Sequence, residues 1–298
     1  MNKNFQKIYS YCKSIFDGEM TIQKQLKGHN GNIMLLPEDS FIYIKDVRAG
    51  IMYNGLSDSM YNEYNEDKHF HRDVTDICKE YNIKLLQVFE DEFVNSPDIV
   101  YNKIKHILQK CENMPKIMGR KCEIRQIKKE EAKTFLNTYH IQGYVASTIY
   151  LGAFYNDELI AVMQFREEER GNNRWELTRF ASNYNYVCQG VGGKLFKYFV
   201  RNWNPIEIKS FADRRWTVDE HNNVYLQLGF EFDYYTNPDY HYFKESDGII
   251  RQHKFGFRKQ ILNKKYGLPL TMTESQMVAE LNYERIYDCG LIKYVWKR

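Results

Sequence analysis

The chain has 298 residues, 43% hydrophobic and 27% charged, with a formal net charge of +3 at pH 7. That length allows two cores or one large one, and the composition excludes wholesale disorder. No apolar run reaches the roughly 18–20 residues of a membrane helix, and so small a net charge leaves any nucleic-acid contact to local patches.

Hydrophobic periodicity predicts a helix over 4–16, strands over 41–44 and 47–53, a helix over 71–81, a buried strand over 84–89 and an amphipathic helix over 98–111. Pro115 and Gly119 then separate two patterned regions, and a linker is expected over 113–120. This divides the chain into a first domain over 1–112 and a second over 121–298 with a basic carboxy-terminal extension.

In the second domain the pattern predicts a strand over 122–127, a helix over 129–139, strands over 149–155 and 158–165 joined by a turn at Asn156-Asp157, and a strand over 175–181. A glycine cluster precedes a helix over 194–203. A strand over 206–212, a helix over 222–228 and an aromatic strand follow. The fold class is mixed α/β.

Six cysteines form no Cys-x-x-Cys pair and no zinc-finger spacing, as expected for reduced thiols. The first 16 residues lack the apolar stretch of a secretory signal, so a cytoplasmic location and no membrane partner are expected. Aromatic residues reach 15%, which an AT-rich gene produces without functional meaning and base-stacking surfaces would also produce.

Gln189-Gly190-Val191-Gly192-Gly193-Lys194 opens a helix, where unpaired amides and the helix dipole favour an anion. With Asn222 to Phe230 (an Asn followed seven and eight residues later by Gly-Phe), it resembles the GNAT acyltransferases, whose pyrophosphate loop reads Gln/Arg-x-x-Gly-x-Gly/Ala. Gln189 and Gly192 match, whereas Lys194 replaces the final small residue. The resemblance covers about 122–243. It implies an acyl-CoA donor held by Gln189, Gly190, Val191, Gly192, Gly193 and Lys194, with Tyr225 as general acid and Glu176 as general base. Alternatively, Tyr225 is a core-edge tyrosine and Glu176 is half of an ion pair with Arg174 or Arg179.

His140-Ile141-Gln142-Gly143, Leu151 to Phe154, Trp175-Glu176-Leu177 with Arg179-Phe180, and Ala212-Asp213-Arg214-Arg215-Trp216 resemble the carboxy-terminal half of bacteriophage homing-endonuclease-like proteins, similar to Mom-type DNA-modification enzymes. This implies DNA as partner and adds Asp213 and His140 to the catalytic candidates. A histidine placed just after a helix also reads as a cap.

Residues 33–93 resemble the nuclease domain of the same proteins, related to Vsr-type and PD-(D/E)XK endonucleases. The frame is marked by Tyr53-Asn54-Gly55-Leu56, His71, Thr75 and Cys78. The family's metal-binding acids and basic residue fall on Phe41, Met52 and Val74, which implies a pseudonuclease without metal. A shifted Mg²⁺ site would use Asp39, Asp46 and Glu90, and Glu90, Asp91 and Glu92 otherwise read as a solvated turn. Asn54, His71 and Arg72 are candidates for DNA-backbone contact.

Two basic, aromatic-studded stretches supply the other nucleic-acid candidates: Lys197, Arg201, Arg214 and Arg215, then Arg251, Lys254, Arg258 and Lys259. Three functions follow. The first is a transferase modifying DNA, the second a homing-type endonuclease, and the third a non-catalytic phage counter-defence binder of DNA or a host defence protein.

Overall fold

The computed structural model describes residues 2–56, 62–248 and 250–298. Its contacts divide the chain into two compact units. Unit 1 holds residues 1–100, 214–218 and 237–290, and unit 2 holds 101–213, 219–236 and 291–298. The expected two-part division is thus redrawn. The stretch expected as a basic extension of the second domain groups with the amino-terminal residues, because its side chains pack and ion-pair there. Among the described residues no helix is long and apolar enough to cross a membrane.

Unit 1 opens with α1 (Lys3–Ile15), capped by the Asn2 side chain. Strands β1 (Met20–Gln23), β2 (Gln25–Lys27), β3 (Ile33–Leu35), β4 (Phe41–Ile44) and β5 (Ala49–Asn54) follow, then α2 (Asn62–Glu66), α3 (Phe70–Glu80), β6 (Lys84–Phe89) and α4 (Glu90–Asn95). The sheet order is β1-β4-β5-β6, antiparallel except for the parallel β5–β6 pair. β5 is buried along its whole length, as a strand covered on both faces must be. α3 buries Phe70, His71, Val74 and Cys78 along one stripe.

Phe41 and Met52 are direct cross-strand partners. Both are fully buried with Val74, in one apolar cluster that includes Leu36, Phe70, Cys78 and Leu85. These three side chains therefore converge on hydrocarbon. Asp39, Asp46 and Glu90 do not assemble a shifted site: Asp39 precedes β4 and Asp46 follows it, at opposite ends of the strand. Among the described residues no group of three or more His, Cys, Asp or Glu is placed to hold a metal ion.

The acidic run after β6 is buried rather than solvated. Glu90 accepts from the Leu56 amide at 2.7 Å. Asp91 accepts from Arg251 Nε at 2.8 and 3.0 Å. Glu92 receives Arg215 at 2.9 Å, Arg251 at 2.8 Å and the Phe89 amide at 3.0 Å. The Phe89 ring lies 4.6 Å from the Arg215 guanidinium and 4.1 Å from that of Arg251. Asn54 and His71 are also buried, both on Gln87 Oε1, so neither is available to a DNA backbone. Arg72 is ion-paired with Asp73.

Unit 1 is completed by β15 (Tyr240–Phe243), β16 (Gln252–His253), α9 (Lys259–Tyr266), α10 (Glu274–Glu280) and β17 (Glu284–Tyr287), with strand order β16-β15-β17. A second core of Tyr242, Phe257, Leu262, Met277, Val278 and Tyr283 holds these together. α10 carries a Thr273–Gln276 capping box. The division between units falls inside α5 (Pro97–Ile107).

Unit 2 contains β7 (Lys116–Met118), β8 (Glu123–Gln126), α6 (Lys129–Tyr139), β9 (Ile149–Tyr155), β10 (Glu158–Glu167), β11 (Arg174–Ser182), β12 (Val187–Gln189), α7 (Val191–Trp203), β13 (Glu207–Asp213), α8 (Val224–Gln227), β14 (Glu231–Tyr235) and β18 (Leu291–Lys297). Asn156 and Asp157 both take positive φ in the β9–β10 hairpin, the two-residue turn that matches strand twist. Seven strands run β14-β18-β13-β11-β10-β9-β8. The expected linker is structured: β7 pairs in parallel with β12, and a 3-10 turn follows at Gly119–Lys121.

Glu92 yields the first prediction. Burial pushes its carboxyl upward, but Arg215 and Arg251 outweigh burial and hold it below the ordinary value. Its contribution to stability is present above the unfolded-state value, near about 4.3, and is lost as pH falls through the lower folded value. Glu92→Gln is expected to lower the melting temperature at about pH 7 and to matter progressively less toward about pH 2.5. Thermal melts across that range check it, and a constant penalty contradicts it.

Candidate active site

The site of unit 2 begins with a short ladder. β11 and β13 run parallel but pair only through Arg174–Glu207, Trp175–Ile208 and Glu176–Lys209. Beyond that point the Ser210 hydroxyl, donating to Leu177 O at 2.8 Å, takes the place of a ladder bond. A bulge in β11 sits at the same level: Gln164 pairs with Arg179 and Phe165 with Leu177, which leaves Thr178 extra.

The bulge resets which side chains face where. Trp175 and Leu177 pack in the core that α7 covers, and Ala181 packs in the core that α6 covers. The extra residue puts Glu176 and Arg179 on the α6 face despite their spacing of three. On β13, Ile208 and Ala212 share the α7 core, so by strand alternation Ser210 lies on the α7 face and Asp213 on the α6 face.

Tyr225 enters from the α7 side. α8 is shorter than the expected helix, and its start is fixed by Asn223, whose side chain accepts from the Tyr225 and Leu226 amides at 3.0 and 3.2 Å. Asn223 also donates to the Tyr294 hydroxyl at 2.9 Å. The Tyr225 ring stacks on Tyr294, with centroids 4.9 Å apart and planes at 9°, and meets Phe230 edge-on. Burial pushes the Tyr225 hydroxyl above the ordinary tyrosine value; Ser210 and Arg179 act the other way without cancelling it, and Asp213 adds to the rise.

On the α6 face, Glu176 pairs with Arg166 at 2.6 Å, its cross-strand partner, and not with Arg174 or Arg179. Arg174 is taken by Glu207. Asp213 accepts from Gln142 Nε2 at 3.3 Å. His140 is the C-cap of α6, and its Nδ1 accepts from the Gln142 amide at 3.1 Å. Desolvation, with help from the Arg179 charge, lowers His140 to about 3. His140 thus serves as a cap and hydrogen-bond acceptor in this structure.

The glycine turn stands on the α7 side. Gly190 is the N-cap of α7 at φ 73°, and no side chain caps the first turn. Ideal Cβ atoms on Gly190 and Gly193 would meet nothing within 4 Å, whereas one on Gly192 would meet the Phe180 ring at 3.0 Å. Gly190 and Gly193 therefore face open space, while Val191 and Gly192 are buried in packing. Gly119 must be glycine because its Cβ would meet Gly190 O at 2.6 Å.

A cleft of about 890 Å³ adjoins the turn, lined by Gln189, Gly190 and Gly193 and by the cations Arg120, Lys121, Lys197 and Arg201. Lys194 also reaches it, but its ammonium donates to the Cys122 and Arg120 carbonyls and ties α7 to the 3-10 turn. Lys194 is thus a structural tie rather than a free phosphate ligand.

The remaining nucleic-acid candidates divide. Arg214 and Arg215 are each 4% exposed, held by Asp76 and Glu92, and Arg251 is spent on Asp91 and Glu92. Guanidiniums so enclosed and paired with carboxylates are poorly placed to meet an outside phosphate. Lys254 pairs with Asp239 at 2.6 Å. Arg258 is exposed over the Phe255 ring, and Lys259 is half-buried.

Sequence reasoning named Glu176, Tyr225, Asp213 and His140, and the structure brings them around Arg179, which it did not name as a site residue. Nothing in the sequence marks the bulge that turns Arg179 toward Glu176.

No protein-family model matches the chain, and no curated protein matches it. Among solved structures, a GNAT family acetyltransferase from Elizabethkingia anophelis with acetyl-CoA bound is 15% identical, covering 60% of this chain and 99% of that one at a TM-score of 0.35. A Bacillus subtilis acetyltransferase in complex with CoA is 12% identical over 60% and 99%, TM-score 0.33. An IAA acetyltransferase from Bacillus cereus is 16% identical over 59% and 99%, TM-score 0.29.

Asn223→Ala is expected to cost about 1 kcal/mol, the usual worth of an N-cap, and to loosen the Tyr225 ring. Asn223→Asp keeps the acceptor and recovers most of the loss. Denaturant melts of the two variants check this, and equal losses contradict it.

Proposed function

We propose that unit 2 is an acyl-CoA-dependent N-acyltransferase. The observation that carries the reading is the parting of β11 and β13, where a desolvated tyrosine hydroxyl from one face of the sheet lies in the field of Asp213 and Arg179 from the other. The open glycine turn and its basic cleft lie on the tyrosine's side. They fit a pyrophosphate with an attached phosphate: uncapped amides at the turn, four cations around it, and room for an elongated ligand.

In this reading the acyl donor lies along the α7 face with its thioester in the opening. The amine acceptor comes from the α6 face. Its nitrogen attacks the thioester carbonyl, and the proton it loses passes to Glu176, through the oxygen Arg166 does not hold or through water, and on to solvent. The carbon–sulfur bond breaks, and Tyr225 protonates the departing thiolate and is reprotonated from solvent. The products are an amide and free CoA. A tyrosine held above its ordinary value stays protonated at neutral pH, as a general acid must.

Arg214, Arg215, Arg251 and Lys254, half of the basic residues expected to meet DNA, are engaged by internal carboxylates. We therefore place the acceptor among small amines.

Tyr225→Phe is expected to lower kcat about 10²- to 10⁴-fold, the usual worth of a general acid, with CoA affinity unchanged by calorimetry. The alkaline limb of the wild-type kcat profile should lie above about pH 10. A protein that neither binds CoA nor releases it from acetyl-CoA with any amine refutes the reading.

A further inference from the structure

Arg179 is held by neutral atoms. Its Nε donates to Gly143 O at 3.1 Å and its Nη1 to Thr178 O at 2.8 Å. Among the described residues it makes no ion pair. The two nearby carboxylates are engaged elsewhere, Glu176 by Arg166 and Asp213 by Gln142. The guanidinium is nevertheless desolvated enough to lower its affinity for its proton, in the fields of Tyr225, Glu176 and Asp213. A partly buried cation without a matched anion is costly, and two carbonyl acceptors use only part of a five-donor fork.

The loop over 140–148 fixes this group in place. Gln164 Nε2 donates to Val145 O at 2.9 Å, the Ser147 hydroxyl bonds that of Thr178 at 2.8 Å, and the Tyr144 amide donates to Asn137 Oδ1 at 3.0 Å. The unused edge of Arg179 is therefore presented by a pinned scaffold, on the α6 face and away from the glycine turn.

We infer that Arg179 recognises an oxyanion carried by the acceptor amine, a carboxylate or a phosphate, and so selects anionic amines. This rests on the acyltransferase reading. Being on the acceptor's face, the guanidinium positions the nucleophile and does not contact the pyrophosphate. Its planar fork suits a two-oxygen group.

The test uses the full chain, acetyl-CoA and paired amines: glycine against glycinamide, and O-phosphoethanolamine against ethanolamine, with free thiol as readout. Wild type is expected to show a lower KM for the anionic member, and the pair with the wider gap tells carboxylate from phosphate. Arg179→Gln is expected to raise KM for the anionic member about 10- to 100-fold more than for the neutral member, the worth of a charged hydrogen bond. Arg179→Lys should recover part of the gap, and it carries the test if the glutamine variant does not fold. A wild type without a gap, or a variant whose kcat falls equally on both members, overturns the inference. CoA binding by calorimetry separates the two readings. Binding without a gap sinks only the role of Arg179, whereas no binding sinks the acyltransferase.

Discussion

A continuous β-sheet separates the groups on its two faces, because successive side chains alternate and the backbone ladder fills the space between. Unit 2 escapes this where β11 and β13 share a ladder for only three residues. Everything proposed for the site depends on that interruption. Tyr225 and Ser210 belong to the α7 side, Glu176 and Asp213 to the α6 side, and they can act on one bond only through an opening. The bulge at Thr178 serves it twice, by disrupting regular pairing in β11 and by turning Arg179 to the face of Glu176. Ser210 covers the first step of the divergence with a side-chain bond where a backbone bond is lost.

Unit 1 shows a different use of charge. Phe41, Met52 and Val74 meet in one apolar cluster, while the acids at the end of β6 are matched by two guanidiniums. Such a cluster does not show high stability, since apolar replacements can do as well. It does set arrangement: residues 89–92, 215 and 251 are distant in sequence, and Glu92 is satisfied only when both arginines arrive.

Most elements were legible in the sequence because their signals are local. The strands over 41–44, 84–89 and 149–155 and the helix over 129–139 follow from periodicity, and the β9–β10 turn follows from two residues that tolerate positive φ. The supposed linker failed because its meaning is not local: Lys116–Met118 becomes a strand only by pairing with Val187–Gln189, some 70 residues on. The Gln189–Lys194 motif was visible, but the role of each residue was not. Gly192 answers to the Phe180 ring and Lys194 to two carbonyls, and neither partner can be read from the motif. Glu176 met the same difficulty, since its partner Arg166 is set by strand register.

The basic residues show why composition alone could not assign a ligand. A cation becomes available to an outside anion only where the fold declines to supply an inside one. Arg214, Arg215 and Arg251 sit in the sequence as a nucleic-acid track would, yet Asp76, Asp91 and Glu92 claim them. Arg120 and Lys121 are far in sequence from Lys197 and Arg201, yet the four share one open cleft. Arg179 lies between these cases, desolvated like the first group and unmatched like the second. Burial without a counter-charge raises the free energy of the unliganded protein locally, and an incoming anion relieves it. That difference favours the bound state, so Arg179 is where acceptor selectivity is expected to reside.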